Sequence, residues 1–398
     1  MRRREKRSMV DITQAQKGGA RNKRKGPMAP IGTGGESPPG LASAPYSLRS
    51  AEAAQRYYRT RCVLTIPPRV SPCRLVLFRR AGERRLPHMI VYREVSTLAR
   101  DLNIDAGTLY AVSNSLPSHY HTVKIPKKDG GERRLAVPDE ILKRIQRSIY
   151  RNLLAYMPVS PYATAYRCGS GAVRNAARHT GRREVLRLDI RHFFDSVRYT
   201  AVKETVFPPE VFSEPLRILL TMLCYYRDGL PQGAPTSPAI VNILLRDFDG
   251  NLGAWCRERG VTYSRYCDDL VFSGEDLDGV REKAEEELAA LGFFLHDGKT
   301  RLRRDGRRQT VTGLVVNHGV RVPAEERRAV RQAVYYCRRF GVEDHLRRTG
   351  VEMTPREYLD RLLGRVGYIL QADSGDEAAR RDREWLLDER CRMQREET

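Results

Sequence analysis

No stretch of the chain approaches the roughly 18 consecutive apolar residues that a membrane-spanning helix needs; the longest, ILLTMLC at 218–224, is far too short. The N-terminus is basic and lacks the apolar core of a secretory signal. None of the eight cysteines forms a Cys-x-x-Cys pair, and no histidine cluster stands near them, which argues against the common zinc sites. Single scattered cysteines fit a reducing compartment. These absences predict a cytoplasmic protein with no membrane partner. Acids are also scarce: 49 Asp and Glu stand against 71 Lys and Arg, a formal net charge of +22. Such an excess favours a polyanionic partner, nucleic acid ahead of anionic membrane. With 40% hydrophobic and 30% charged residues the chain can form a core, and 398 residues suffice for two or three domains or one large one with an appendage.

Residues 1–47 have little apolar content and read as a disordered basic tail; its first 27 residues hold ten Lys or Arg against two acids. The remainder is basic without it. The tail has two readings, a phosphate-binding arm or a solvated terminus. Residues 48–90 receive no role. VSTLARDLNI and AGTLYAVSN have helical spacing, and HTVKIPKKDGGERRLAVP places two extended segments around Asp-Gly-Gly, a hairpin signal. PDEILKRIQRSIYRNLLAYM predicts a helix with Ile141, Ile145, Ile149 and Leu153 along one face. EVLRLDIRHFFDSV reads as an apolar strand ending in polar residues. LPQGAPTSP is a Pro/Gly loop leading into one long helix, and VTYSRYCDDLVFSG is a hairpin. GVREKAEEELAALG is an amphipathic helix, QTVTGLVVNHGVRV a strand pair, and the chain from about 323 is helical and basic. Irregular alternation without repeats predicts an α+β core with helical appendages.

Two adjacent like charges, Asp268 and Asp269, occupy the tip of that hairpin, and Asp189 ends the earlier strand. Strand neighbours point to opposite faces, so both tip carboxylates can face one site only if the turn breaks the alternation. Three converging carboxylates raise one another's pKa and are unfavourable unless they hold cations. Oxygen-only ligation suits Mg²⁺, and two ions about 3.5–4 Å apart can activate an attacking hydroxyl and stabilise a leaving pyrophosphate. Taken alone, an Asp-Asp turn is more often only a solvated turn.

The motifs sharpen this. YCDD at 266–269 resembles the YxDD box of reverse transcriptases, and LDIRHFFDS at 188–196 their first palm motif. LPQGAPTSP at 230–238 resembles the loop supporting the incoming nucleotide and template base. KKDGGERRLAVP at 127–138 resembles the fingers hairpin, GFFLHDGKT at 292–300 the box after the catalytic hairpin, and LLGRVGYI at 362–369 the start of a thumb. The order is that of the family across roughly residues 92 to 370. Asn175-Ala-Ala-Arg-His179 and Val311-Thr312-Gly313 match the NAxxH and VTG signatures of retron reverse transcriptases.

That resemblance implies a right-hand polymerase with fingers at 91–183, palm at 184–318 carrying an insertion at 206–250, and thumb with C-terminal helices at 319–398. It implies a bacterial RNA-directed DNA polymerase that copies its cognate structured noncoding RNA into msDNA. Synthesis would start from the 2′-hydroxyl of a guanosine and use dNTPs, in anti-phage defence with an effector protein. It further implies that Asp189, Asp268, Asp269 and the Ile190 carbonyl hold two Mg²⁺ ions. Phe194 would reject a 2′-hydroxyl; otherwise it is a core aromatic like Phe193. Gln232 and Gly233 would line the nucleotide pocket, Gly allowing close approach. Lys127, Arg133, Arg134 and Lys299 would meet the triphosphate, and Tyr266 and Cys267 the primer end. His179 is expected to serve RNA recognition rather than act as a base, while Asn175 either caps backbone or contacts RNA. The Arg-rich helices from 323 to 370 would track the duplex through its phosphates.

Rival readings are a group II intron-like reverse transcriptase, a diversity-generating enzyme, and an inactive polymerase-derived RNA-binding protein. The first normally carries a maturase region after the thumb, where about 30 residues remain here. The second usually has a different residue pair in the LPQGAPTSP loop. The third is disfavoured by the presence of all three carboxylates.

Overall fold

The computed structural model describes residues 91–126 and 131–396. The tail, the 48–90 segment and Lys127 lie outside these. The described chain opens with helices α1 (Val95–Leu102) and α2 (Ala106–Asn114). Asn103 ends α1 in the left-handed conformation at φ 52, and Asp105 caps α2 by accepting from the Thr108 N–H at 2.9 Å. Strands β1 (Tyr120–Pro126) and β2 (Glu132–Pro138) form a two-stranded antiparallel ribbon in which Tyr120 faces Pro138 and Pro126 faces Glu132. Helix α3 (Glu140–Asn152) follows at once, capped by Asp139 through the Leu142 N–H. Its buried face is Leu142, Ile145, Gln146 and Ile149, whereas Ile141 is 53% exposed. The expected stripe is therefore displaced by one residue at its start. Gln146 takes a core position because its amide donates to the Tyr120 hydroxyl and the Leu223 carbonyl.

Helix α4 (Ala172–Ala177) precedes β3 (Glu184–Asp189), which ends at Asp189. After α5 (Glu214–Cys224), the LPQGAPTSP loop leads into two helices, α6 (Ser237–Leu244) and α7 (Arg246–Glu258), broken at Leu245 instead of forming one. The hairpin β4 (Thr262–Tyr266) and β5 (Asp269–Gly274) then joins the sheet, followed by α8 (Val280–Ala290) and β6 (Arg301–Arg304). The strand order is β4-β5-β3-β6, antiparallel throughout.

Period-2 alternation sends the two sides of this sheet into different cores. Leu186, Leu188, Leu270, Phe272 and Tyr263 join the larger core with α5, α6 and α7. Val185 and Val271 join a second core containing Ala176 of α4 and the C-terminal helices. These are α9 (Ala324–Phe340), α10 (Val342–Thr349), α11 (Pro355–Ala372) and α12 (Glu377–Glu396), reached through the short strands β7 (Thr310–Val311) and β8 (Leu314–Val315). A capping box between Thr354 and Glu357 starts α11. The Thr312 hydroxyl of the β7–β8 turn donates to the Ala172 carbonyl at 2.8 Å, tying that turn to α4. No helix among the described residues is long and apolar enough to cross a membrane.

Candidate active site

The central geometry follows from strand register. Asp189, last in β3, lies directly opposite Asp269, first in β5. Cross-strand partners share a face, so these two carboxylates point the same way. Tyr266 also pairs with Asp269, which leaves Cys267 and Asp268 as a two-residue turn. Cys267 has φ 62, a conformation that favours glycine at the first central position of such turns. This irregularity breaks the alternation and puts Asp268 at the sheet's edge beside the other two. The Ile190 N–H donates to the Asp268 carbonyl at 2.9 Å, fastening the turn to the end of β3.

The electrostatics record the crowding. Burial, then Asp269 and Asp189, raises the Asp268 carboxyl above the ordinary carboxylate range. Burial also raises Asp269, with Asp189 adding to it and Arg187 and Lys299 opposing. Two cations meet the carboxylates: Lys299 Nζ donates to Asp189 at 2.7 Å, and Arg187 Nη2 lies 3.3 Å from both Asp269 oxygens. Among the described residues no three His, Cys, Asp or Glu side chains are already arranged around one point as a metal cage. Lys299 and Arg187 are the counter-charges of Asp189 and Asp269 here. The donor set still fits a hard divalent cation, since every candidate ligand is an oxygen.

Around this centre, Phe193 is core and Phe194 half-buried. The Leu230 N–H donates to the Phe194 carbonyl at 2.9 Å, seating the LPQG loop on the turn after β3. Gln232 and Gly233 are half-buried. Gly233 has φ 145, and a Cβ there would lie 2.8 Å from the Ala136 carbonyl of β2. The close approach that glycine permits is thus to the ribbon's backbone. Arg133 and Arg134 are exposed on β2, and as strand neighbours they point to opposite faces of the ribbon. Tyr266 is half-buried, and Cys267 accepts a hydrogen bond from the Tyr166 hydroxyl at 3.2 Å. Burial and the adjacent Asp268 push the Cys267 thiol up to about 12, so it stays protonated.

Asn175 and His179 require a correction. Both are fully buried, which leaves neither able to touch RNA. His179 bridges the two strands of the hairpin on the face that carries Asp269: Nε2 meets the Ser264 hydroxyl at 2.7 Å and Nδ1 the Ser273 hydroxyl at 2.8 Å. Asn175 Oδ1 accepts from the Ser264 and Thr164 hydroxyls, and so does not cap backbone either. Burial, with Arg178 and Arg182 nearby, takes His179 down to about 3, so the ring is neutral. The two residues brace the sheet.

Sequence reading also passed over Arg187, Arg265 and Asp249. Arg187 could have been found by alternation, being two residues before Asp189 on the same strand face. Arg265 and Asp249 form a salt bridge of 2.7 Å with both side chains fully buried; a helix residue sixteen positions upstream gives no local sign of such a partner.

Carboxylates gathered at the rim of an antiparallel sheet, with a neighbouring ribbon packed on a glycine loop and helices following, define a right-hand nucleotide polymerase. Residues 125–332 match the family model described as reverse transcriptase (RNA-dependent DNA polymerase). The retron Mx65 reverse transcriptase of Myxococcus xanthus is 34% identical over 73% of this chain and 71% of its own length. Retron Mx162 reverse transcriptase, from the same organism, is 33% identical over 64% of this chain and 58% of its own. Retron Ec86 reverse transcriptase of Escherichia coli is 27% identical over 65% and 82%. The chain belongs to the retron reverse transcriptases and is an RNA-directed DNA polymerase.

Proposed function

We propose that this chain copies its cognate structured noncoding RNA into msDNA, starting from the 2′-hydroxyl of an internal guanosine, and acts with an effector protein in anti-phage defence in the bacterial cytoplasm. The observation that carries the catalytic part is the register pairing of Asp189 with Asp269 beside the Asp268 turn. Asp189, Asp268 and Asp269, with the Ile190 carbonyl, would hold two Mg²⁺ ions. Bound magnesium supplies charge neutralisation on the triphosphate and acidification of the attacking hydroxyl. Lys299 and Arg187 neutralise Asp189 and Asp269; with substrate bound, Lys299 would turn to the triphosphate together with Lys127 and whichever of Arg133 and Arg134 faces the pocket. Phe194 packs against the deoxyribose, Gln232 and Gly233 line the nucleotide, and Tyr266 and Cys267 abut the primer terminus.

In domain terms, residues 91–183 are fingers, 184–318 palm with the 206–250 insertion, and 319–398 thumb. The basic tail 1–47 adds phosphate contacts. Purified protein given its cognate RNA, dNTPs and magnesium should yield a DNA covalently branched from RNA. Debranching enzyme should then change the product's mobility. A linear product unaffected by debranching would leave a polymerase and remove the retron-type priming.

A further inference from the structure

The pair Arg265–Asp249 takes no part in the contacts assigned above, yet it is the most deeply enclosed charge in the palm sheet. Arg265 lies on β4 and Asp249 on α7, both at 0% exposure. Their contact is bidentate: Nε to Oδ1 at 2.9 Å and Nη2 to Oδ2 at 2.7 Å. The Tyr263 hydroxyl donates to the same Oδ1 at 2.9 Å. The third arm of the guanidinium, Nη1, donates to the carbonyl of Cys267 at 3.1 Å. Arg265 is itself held at both ends of its backbone, its N–H donating to the Tyr162 carbonyl at 2.9 Å and its C=O accepting from the Thr164 N–H at 2.8 Å.

Taking two ions out of water costs several kcal/mol per ion, and replacing such a pair with apolar side chains of similar volume is often neutral or stabilising. Stability alone therefore gives weak reason for an arginine here. What an apolar side chain cannot do is reach the Cys267 carbonyl. That carbonyl belongs to the residue at φ 62, a conformation a non-glycine residue adopts only when its surroundings hold it. It also leads into the peptide that carries Asp268.

We infer that Arg265, oriented by Asp249 and Tyr263, is a positioning residue that clamps the Cys267 carbonyl and so sets the placement of the Asp268 carboxylate during polymerisation. The inference rests on the reading of Asp268 as a metal ligand. Arg265 lies on the opposite face of the sheet from Asp269; its influence runs through one peptide. Lysine cannot replace it, since a single ammonium does not span the Asp249 carboxylate in two parallel bonds and the turn carbonyl together.

The test separates placement from folding. The triple variant Tyr263→Phe/Asp249→Leu/Arg265→Met removes the charges and their hydroxyl partner together, leaving no buried ion unpaired. It should unfold near the native temperature and bind an RNA template–primer with native affinity. Its single-nucleotide incorporation rate should fall about 10- to 100-fold, the value of one charge-assisted hydrogen bond. The dNTP dissociation constant should change little, and the magnesium needed for half-maximal rate should rise.

A second pair of variants keeps the question open to refutation if the triple variant is poorly folded. Arg265→Lys should be slow, and adding Cys267→Gly should recover part of the rate, because glycine adopts the turn conformation without a clamp. A native rate and native magnesium requirement in the triple variant would overturn the inference. So would an Arg265→Lys defect that Cys267→Gly leaves untouched. Asp268→Asn, run alongside, keeps the two readings apart: if it polymerises normally, the metal-ligand assignment fails whatever Arg265 does.

Discussion

Replacing Asp268 by asparagine should make the ion-free protein more stable while abolishing polymerisation. Asp268 sits in a half-buried turn with Asp269 and Asp189 close by, and its carboxyl is held above the ordinary range by burial first and by those charges second. A carboxyl that holds its proton more tightly folded than unfolded leaves stability intact below its unfolded pKa and removes it as pH rises past that value. At neutral pH the charged form bears that penalty, and the amide does not. Neutralising such a group typically returns about 0.5–2 kcal/mol, read as a rise in melting temperature of about 2–4 °C per kcal/mol. The difference from the native chain should shrink as pH falls towards about 3.9, the ordinary value for aspartate.

Magnesium should reverse the order. At ten times its dissociation constant an ion adds about 1.4 kcal/mol to the native protein, and the variant should lose most of this increment. Loss of a metal ligand removes several kcal/mol of transition-state stabilisation, so nucleotide incorporation should drop by on the order of 10³-fold or more. RNA affinity should be unchanged. Thermal unfolding with and without magnesium, beside single-nucleotide extension, reads all of these. A variant less stable than native without magnesium, or one that extends a primer at a near-native rate, would refute the reasoning.

Gly233→Ala should raise the dNTP KM and cost about 1–3 kcal/mol of stability, because its Cβ would meet a backbone carbonyl at 2.8 Å at φ 145; a silent substitution would mean the loop and ribbon part freely. His179→Ala should lower stability by about 1–3 kcal/mol by taking the Ser273 hydroxyl's imidazole partner and one of the two partners of Ser264. Its RNA affinity per folded molecule should be native, and selective loss of RNA binding would restore the recognition role. Lys299→Met should change stability by under about 1 kcal/mol, as its Asp189 contact is solvent-facing, yet raise the dNTP KM roughly tenfold. An unchanged KM would leave Lys299 as a partner of Asp189 only.

The elements that carry the carboxylates were legible because period-2 alternation and a two-residue turn are local patterns, and Asp189 and the YCDD hairpin both fall in them. The break at Leu245 was not, since Leu244 and Leu245 continue the apolar spacing of a single helix. Ile141 looked like a core residue by spacing, but α3 begins only at Glu140, and the cap at Asp139 orients the first turn with Leu142 inward. The burial of Asn175 and His179 depends on α4 lying across the hairpin, a tertiary fact with no trace in a six-residue helix. Arg265 and Asp249 show the same limit: charged residues read as surface until the sheet and α7 enclose them together.

The most direct measurement is a structure of the protein with RNA template–primer, an incoming dNTP and manganese, its ions located by anomalous scattering. The account predicts two cations ligated by Asp189, Asp268 and Asp269, with Lys299 and Arg187 withdrawn from the carboxylates. A bound nucleotide at saturating manganese, with no cation at these three residues, would contradict it.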